Sequence, residues 1–198
     1  HEENKIKNVA ILVSREDHCL LKILNSRASG EINCNISLII GSDEKLKSIA
    51  DSFSIPFHFV NHLEQSVAES EILQLVENFD IDLIVLARYM RILTPNFVWR
   101  YPNRIINIHP SLLPAFPGAF AYVQAYERGA KIIGCTAHFV TEDLDQGPII
   151  IQESFKVLTE DTLESIKIKG QIAEALALLE AVKLLSLIHI SEPTRPLY

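Results

Sequence analysis

The sequence lacks the cysteine pattern of a disulfide framework or a zinc site. It holds three cysteines, an odd number with no C-x-x-C pair, and it has no H-E-x-x-H spacing of the kind that binds a metal on a helix. Sparse, unpaired cysteines are typical of a reduced intracellular chain. We therefore predict a cytoplasmic protein without a bound metal ion.

Long apolar runs and an excess of basic charge are missing as well. The longest apolar stretch, 173–190, is interrupted by Glu174, Glu180 and Lys183, whereas a membrane span needs about 20 predominantly apolar residues in a row. Eighteen Lys and Arg stand against 25 Asp and Glu, a formal net charge of −7, which argues against a broad surface for nucleic-acid phosphates. We expect neither a membrane nor a nucleic acid as partner.

What is present is the composition of a globular protein. With 48% apolar and 22% charged residues, the chain can bury a sizeable core. Its 198 residues correspond to between one and two domains at roughly 150 residues per domain. Since no internal repeat or linker divides the sequence, we predict one core.

Short apolar runs alternate along the chain with segments of helical spacing. The runs 8–13, 36–40 and 83–87 are continuous, as expected of strands buried on both faces. Helical patterns precede Gly30, Pro56 and Asp80 and cover 94–100, and shorter extended pieces lie at 57–60 and 104–109. The alternation predicts an α/β fold with a doubly wound, mostly parallel sheet.

The pattern changes in the C-terminal third. Strands at 134–140 and 148–155 flank an acidic turn, which predicts an antiparallel C-terminal strand pair added to the parallel sheet. A long helix is predicted from Thr162 onward, and one domain covers residues 7–185. Residues 186–198 leave the helical pattern and contain Pro193 and Pro196, so we expect a non-native tail there.

The strand 104–109 ends in polar residues that suit carbonyl chemistry. Because side chains alternate along a strand, Asn107 and His109 project to one face and Ile108 to the other. An amide N–H can stabilise a developing oxyanion, and an imidazole beside it can donate or shuttle a proton. A histidine that is simply hydrogen-bonded in a strand-end turn is an equally good interpretation of this pair alone.

Three neighbouring features have both a structural and a functional interpretation. The loop 112–118 is too apolar for an ordinary surface connection, so it either covers a cleft or packs rigidly. Carboxylates in the turn 142–147 are expected to accept turn N–H groups, the commoner role. His138 is expected to be a satisfied core histidine or a support for the site. The remaining histidines that we weighed, His18, His58 and His62, are predicted to be incidental.

Four segments together resemble the formyltetrahydrofolate-dependent formyltransferase and hydrolase family. They are 88–93 (RYMRIL), 106–116 (INIHPSLLPAF), 134–140 (GCTAHFV) and 143–150 (DLDQGPII). The resemblance covers residues 7–185, and its ordered motifs are far more specific than a lone Asn-x-His. It implies a Rossmann-like formyltransferase fold and a catalytic trio of Asn107, His109 and Asp145. It also implies a folate site formed by Arg88, Tyr89, Met90, Arg91, Ile92, Leu93, His138 and Leu144.

Two activities of this family are possible interpretations of the sequence. Glycinamide ribonucleotide formyltransferases carry a Gly/Ser-rich loop after the first strand, which holds the ribonucleotide phosphate through backbone N–H groups. This chain has Ser14-Arg15-Glu16-Asp17 there, with two carboxylates that repel a phosphate and no glycine to let backbone approach it. In this loop, and in 125–129 (AYERG), the chain is similar to formyltetrahydrofolate deformylases.

The preferred resemblance implies hydrolysis of 10-formyltetrahydrofolate to tetrahydrofolate and formate, which supplies formate to purine biosynthesis and one-carbon metabolism. Asp145 would position or deprotonate the water, directly or through His109, and Asn107 would stabilise the oxyanion with His109. The resemblance implies a small-molecule folate substrate without a further cofactor, and it is compatible with a homo-oligomer. The alternatives are a phosphoribosylglycinamide formyltransferase acting on an amine acceptor and a non-catalytic folate-binding module.

The chain departs from the family pattern at both ends. Deformylases of this kind usually carry an N-terminal regulatory domain, and a first strand at Asn8 leaves no room for one. We therefore expect this domain to be absent. Family chains also continue past the C-terminal helix with a final strand, where this sequence has residues 186–198.

Overall fold

Residues 5–187, the part of the chain that the computed structural model describes, contain a seven-stranded sheet. Its spatial order is β3-β2-β1-β4-β5-β6-β7, with β1 (Asn8–Val13), β2 (Asn35–Gly41), β3 (Phe57–Phe59), β4 (Leu83–Leu86), β5 (Ile105–His109), β6 (Ile132–Phe139) and β7 (Ile149–Lys156). Strands β1 to β5 pair in parallel, whereas β6 is antiparallel to both β5 and β7. The α/β class, the doubly wound parallel part and the antiparallel C-terminal pair are therefore confirmed.

Helices cover both faces of this sheet. They are α1 (His18–Ala28), α2 (Lys47–Ser52), α3 (Gln65–Asn78), α4 (Pro95–Arg100), α5 (Ala121–Glu127) and α6 (Leu163–Leu187). Helices α1 and α6 pack on the face that carries Val9 and Ile11, and α3 and α4 pack on the face that carries Ala10 and Leu12. Because both faces are covered, the strands are continuously apolar, and each large aliphatic side chain buried there contributes about 1.5–3 kcal/mol.

The sequence pattern predicts α4 but not α5. Thr94 accepts a hydrogen bond from the Phe97 N–H, and proline occupies the first turn, where its missing N–H is not needed. Helix α5 has seven residues, no side-chain cap and a left-handed residue, Phe120, before it. It forms because Tyr122 and Ala125 pack in a small apolar cluster with other buried residues, and such packing outweighs local propensity in short helices.

The long C-terminal helix is confirmed and includes Leu187. Ser186, the first residue of the predicted tail, is helical and donates its hydroxyl to the Val182 carbonyl over 2.7 Å. The rest of the predicted tail, residues 188–198, lies outside the described residues. Within residues 5–187, no helix combines the length and apolarity needed to cross a bilayer.

Candidate active site

Strands β5 and β6 place four polar side chains on one face of the sheet. Asn107 lies opposite His138, and His109 lies opposite Thr136, in the antiparallel register of these strands. Their neighbour Ile108 lies in the core cluster on the other face. The predicted alternation along β5 is thus confirmed, and it brings an amide and two imidazoles together.

Asp145 reaches this group from the turn between β6 and β7. Its side chain is 5% exposed, with one oxygen, Oδ2, 3.4 Å from His109 Nδ1 and the other 3.9 Å from His138 Nε2. Gly147 allows this approach, because a Cβ atom there would lie 1.7 Å from the Phe139 carbonyl oxygen. The structure therefore brings Asn107, His109 and Asp145 together from two separate segments.

Hydrogen bonds assign a protonation state to His138. Its Nδ1 lies 2.9 Å from the Phe139 carbonyl oxygen, an acceptor, so Nδ1 carries the proton and Nε2 keeps its lone pair. Burial lowers the pKa of His138 below its usual value, which favours this neutral ring. Nε2 then accepts one N–H of the Asn107 amide, 3.5 Å away. The second N–H of that amide is left for a ligand.

The loop after β5 contacts both ionisable members of the trio. His109 Nε2 lies 3.1 Å from the Phe116 carbonyl oxygen, and the Gly118 N–H donates to Asp145 Oδ2 over 3.1 Å. Both ring nitrogens of His109 therefore face acceptors, which a ring with N–H at both positions satisfies. The loop thus packs directly on the trio, and its two interpretations, cover of a cleft or rigid packing, both stay predictions.

The base of the same loop is fixed to β6 by Thr136. The Thr136 hydroxyl donates to the Ser111 carbonyl over 2.7 Å and accepts the Leu113 N–H over 3.0 Å. Gln152 of β7 adds bonds to Thr136 Oγ1 and to the Leu113 carbonyl. This buried network holds the loop against the sheet, so the contacts with His109 and Asp145 come from an anchored segment.

The segment Arg88–Leu93, predicted to bind folate, presents only some of its side chains outward. Met90 and Ile92 are each 64% exposed, and Leu144 on the turn of Asp145 is 53% exposed. Tyr89 and Leu93 instead lie in the core cluster beneath α3 and α4, where burial raises the pKa of the Tyr89 phenol. Among these predicted residues, those at 90–92 and Leu144 present exposed side chains to a ligand.

Two cavities adjoin this segment, and neither lies over the trio. The larger, about 450 Å³, lies at the carboxyl ends of β1 and β2 and is lined among others by Ser14, Arg15, Ser42, Arg88 and Arg91. A second, about 330 Å³, is lined among others by His62, Gln65 and Ile92. The larger one occupies the crevice where strand order reverses, the usual ligand position of a doubly wound sheet. The trio itself is closed by the loop 112–118.

A second polar cluster, which the sequence reasoning missed, surrounds Glu174 in α6. Glu174 is 1% exposed, yet it accepts from Tyr122 Oη over 2.8 Å and lies 2.5 Å from His18 Nε2. Both His18 and His62 have hydrogen-bond partners, since His62 Nε2 also lies 2.5 Å from Tyr89 Oη, and their being incidental to function stays a prediction. The available signal was a carboxylate on the apolar face of a helix.

The ligand atoms of His18, Cys19 and Glu174 lie within 4.8 Å of one another, a spacing that a metal ion needs. The chemistry of this set does not fit a metal. Burial raises the pKa of the Cys19 thiol well above its usual value, which keeps it protonated, and the Arg88 guanidinium lies 3.8 Å from Glu174. The group is better described as a carboxylate held by donors.

Backbone conformations around the site are unusual. Arg88, Phe116, Phe120 and Asp145 have φ values of 60°, 49°, 60° and 55°, in the left-handed region that costs L-residues about 1–2 kcal/mol. The other described non-glycine residues with positive φ are Ser54, Asp80 and Asn103, small polar residues of which Asp and Asn tolerate it best. Bulky left-handed residues are thus concentrated at the site.

Comparisons with known proteins identify the family of this chain. The sequence pattern of the formyl transferase family matches residues 7–182. A formyltetrahydrofolate deformylase of Synechocystis sp. is 49% identical over 189 residues, which cover 93% of this chain and 65% of that relative. This chain therefore spans about two thirds of the length of that relative.

Solved structures of two activities are similar to this fold. A formyltetrahydrofolate deformylase from Pseudomonas syringae pv. tomato has a TM-score of 0.89 at 38% identity, covering 94% of this chain and 64% of that one. A glycinamide ribonucleotide transformylase 1 from Symbiobacterium toebii has a TM-score of 0.86 at 33% identity, covering 91% of this chain and 88% of that one. The deformylase and the transformylase have the same fold, so the fold alone does not indicate which reaction this chain catalyses. That choice depends on the residues of the site.

Proposed function

Since this chain belongs to the formyl transferase family, we propose that it hydrolyses 10-formyltetrahydrofolate to tetrahydrofolate and formate. The observation that carries the proposal is the approach of Asp145 Oδ2 to within 3.4 Å of His109 Nδ1, beside an Asn107 amide that keeps one N–H available. A carboxylate next to an imidazole supplies a base for water and an acid for the leaving nitrogen. The likeness to deformylases at 44–49% identity supports the same reaction.

The proposed reaction begins with water attacking the formyl carbon. Asp145 accepts a proton from the water while the new C–O bond forms, and the carbonyl oxygen becomes an oxyanion. The free N–H of Asn107 and an N–H of His109 donate to that oxyanion. The C–N10 bond then breaks as N10 takes a proton from His109, and His109 regains a proton from Asp145. Tetrahydrofolate and formic acid are released, and the acid loses its proton to solvent as formate.

The scheme predicts how much turnover is lost when each group is removed. Removing one oxyanion donor costs on the order of 10² to 10³ in turnover, and removing a general acid or base costs about 10² to 10⁴. For His109 to act, its Nε2 has to exchange the Phe116 carbonyl, now 3.1 Å away, for a substrate atom. The loop 112–118 is therefore expected to shift when folate binds.

Water as the acceptor is favoured by the loop that follows β1. Glu16 lies in the larger cavity and pairs with Arg88, whose Nε is 2.9 Å from Glu16 Oε2. A phosphate-bearing amine entering there would meet this carboxylate and compete with it for the guanidinium. Glu16 therefore opposes a phosphate at this loop, whereas Arg15 and Arg91, which line the same cavity, would attract one.

Formyl transfer to an amine acceptor is the second candidate, because a transformylase shares the fold over 88% of its own chain. The test measures formate and tetrahydrofolate from 10-formyltetrahydrofolate, with and without glycinamide ribonucleotide. We expect formate release that does not depend on the amine. Turnover that appears only with the amine would replace the hydrolase by the transferase. A cytoplasmic location, homo-oligomerisation and independence from metal or redox cofactors stay predictions.

A further inference from the structure

Glu174 is a buried carboxylate that the proposed reaction does not use. Among residues 5–187, Glu174 is the least exposed acidic residue, at 1%, and it lies in the middle of the longest helix, α6. A carboxylate removed from water costs several kcal/mol unless charges and hydrogen bonds compensate it. The groups that compensate Glu174 show what it does.

Those groups come from three different segments. Tyr122 of α5 donates to Oε1, His18 of α1 faces Oε2 at 2.5 Å, and the Nε of Arg88, after β4, is 3.8 Å from Oε2. Glu16 completes the cluster, 2.9 Å from Arg88 Nε and 4.0 Å from His18 Nδ1. Glu174 thus connects α6 to three neighbouring segments at one point.

Arg88 connects the cluster to the surface expected to bind folate. It is the first residue of the segment Arg88–Leu93, it has a left-handed backbone, and its side chain is 14% exposed. Its carbonyl accepts the Ser14 N–H over 3.3 Å, and the Ser14 hydroxyl accepts the Met90 N–H over 2.8 Å. The carboxylates beside Arg88 therefore help to fix the backbone that carries Met90.

Tyr122 connects the same cluster to the loop that contacts the trio. It lies four residues after Gly118, whose N–H bonds Asp145. Its ring packs directly on Gly170 of α6, where a Cβ atom would lie 2.2 Å from the ring. Burial and the nearby Glu174 charge raise the pKa of the Tyr122 phenol, so it remains a donor to the carboxylate. The position of α5, and of the loop before it, is thus set from α6.

We propose that Glu174 is a positioning residue: through Arg88 and Tyr122 it holds the segment Arg88–Leu93 and the loop 112–118 in the relative placement that the reaction requires. It does not touch the substrate. The expected effect on kinetics rests on the proposed function. The relative placement of the segment Arg88–Leu93 and the loop 112–118 does not, because it is a property of the free protein.

Removing the charge has a specific expected consequence. Glu174→Gln keeps the size of the side chain, but it ends the attraction for Arg88 and leaves a single neutral oxygen, a weaker acceptor, for Tyr122 and His18 together. The guanidinium is then held by Glu16, whose side chain is 46% exposed, beside an open cavity of about 450 Å³. Both the segment Arg88–Leu93 and the loop 112–118 become more mobile.

A first experiment measures hydrogen exchange in the free chain and therefore does not depend on the reaction. We expect E174Q to raise amide exchange about tenfold in residues 88–93 and 112–120 while the strands β1 and β4 stay protected. Lys169→Gln is the matched control, because it also neutralises one charge of an α6 ion pair, the 2.7 Å contact with Asp161. Unchanged exchange in both segments, or the same pattern in Lys169→Gln, would overturn the proposal.

A second experiment measures kinetics and binding. We expect E174Q to raise KM for 10-formyltetrahydrofolate and Kd for tetrahydrofolate about tenfold each, and to lower kcat about tenfold. Tyr122→Phe, which disturbs the loop alone, should lower kcat about threefold with Kd unchanged. A loss of thermal stability without these changes would make Glu174 a purely structural residue.

The two experiments separate the inference from the proposed function. If the unmodified chain releases no formate, the proposed hydrolase function is refuted. Hydrogen exchange in E174Q still tests whether Glu174 holds the segment Arg88–Leu93 and the loop 112–118 in place. If E174Q does not fold, Tyr122→Phe and Arg88→Lys carry the test, and both are expected to raise exchange in the segment that each contacts. Protection equal to that of the unmodified chain in these two variants would refute the proposal.

Discussion

Asn107 and His138 are a directly opposed cross-strand pair, with the amide Nδ2 3.5 Å from the ring Nε2. The neutral ring, fixed by its bond to Phe139, accepts one amide N–H and thereby orients the amide. The other N–H of the amide is then left for a ligand. A residue that supports the oxyanion donor is thus built into the same two strands as the donor itself.

The first prediction concerns the trio. Asp145→Asn and His109→Ala are each expected to lower formate release by about 10² to 10⁴, because each removes an acid–base group. Folate binding, measured by titration with tetrahydrofolate, should remain detectable. Near-normal turnover in both variants would remove the basis of the proposed function.

The second prediction concerns the amide and its support. Asn107→Ala should lower kcat by about 10² to 10³ as an oxyanion donor is lost. His138→Gln should have a smaller effect, because the amide loses its orientation but stays in place. The two kcat values are compared under saturating substrate, and an equal or larger loss in His138→Gln would contradict the assigned roles.

The third prediction concerns Gly147. Gly147→Ala places a methyl group against the Phe139 carbonyl, so the turn has to move and Asp145 with it. We expect a destabilisation of about 1–3 kcal/mol, as for other overpacked sites, and a loss of most turnover. Gly30→Ala serves as control, since its Cβ would meet no atom within 4 Å. Its positive φ also makes it strained, so turnover rather than stability is compared.

The fourth prediction concerns pH. Burial lowers the pKa of His138 below its usual 6.5, so near that pH the unfolded chain takes up a proton that the folded chain does not. The free energy of unfolding should therefore fall as pH drops below about 6.5 and level off beneath the folded pKa. His62, with a pKa lowered by burial as well, adds to the same trend.

Urea unfolding at several pH values between 7 and 5 measures this trend. His138→Gln should flatten part of the slope, because its folded and unfolded states bind no proton at this position. His58→Gln, whose ring packs edge-on against Phe79, is the comparison. An unchanged slope in His138→Gln would show that the pKa of this ring is the same in the folded and unfolded chain, and would contradict the prediction.

The fifth prediction concerns the thiols. Cys19, Cys34 and Cys135 are buried, and burial raises the pKa of each, that of Cys135 to about 12. Because the thiolate is the reactive form, the native chain should not react with a thiol reagent at pH 8 within minutes. Three equivalents should react in guanidinium chloride, and a fast native equivalent would contradict the described core.

Much of the fold follows from local patterns. The apolar runs predicted β1, β2 and β4 to within a residue or so at each end, because strands buried on both faces have no polar alternation to interrupt them. Helix α5 was not predicted, since its stability comes from tertiary contacts rather than from its own seven residues. A sequence pattern indicates the local preference for a helix or a strand, and the residues of α5 have little preference for a helix.

The site was predictable where a motif is contiguous and not where contacts are distant. The resemblance supplied Asn107, His109 and Asp145, and alternation along β5 placed the first two. The cluster of Glu174 joins residues as far apart as His18, 156 positions away along the chain. A sequence shows Glu174 only as an interruption of an apolar helix, and no local pattern indicates its partners.

The left-handed bulky residues at the site have a consequence for engineering. Glycine at Phe120, whose side chain is 79% exposed, would relieve a backbone conformation that costs about 1–2 kcal/mol, so a screen for thermostability would favour such a change. Glycine at Phe116 would not be favoured, because it also removes a ring packed on the cluster of Tyr122 and Ala125. The change at Phe120 would loosen the segment that delivers the Gly118 N–H to Asp145. Variants of this chain selected for a higher melting temperature are therefore expected to have a lower turnover. The positions responsible for this loss would lie in the loop before α5 rather than throughout the core.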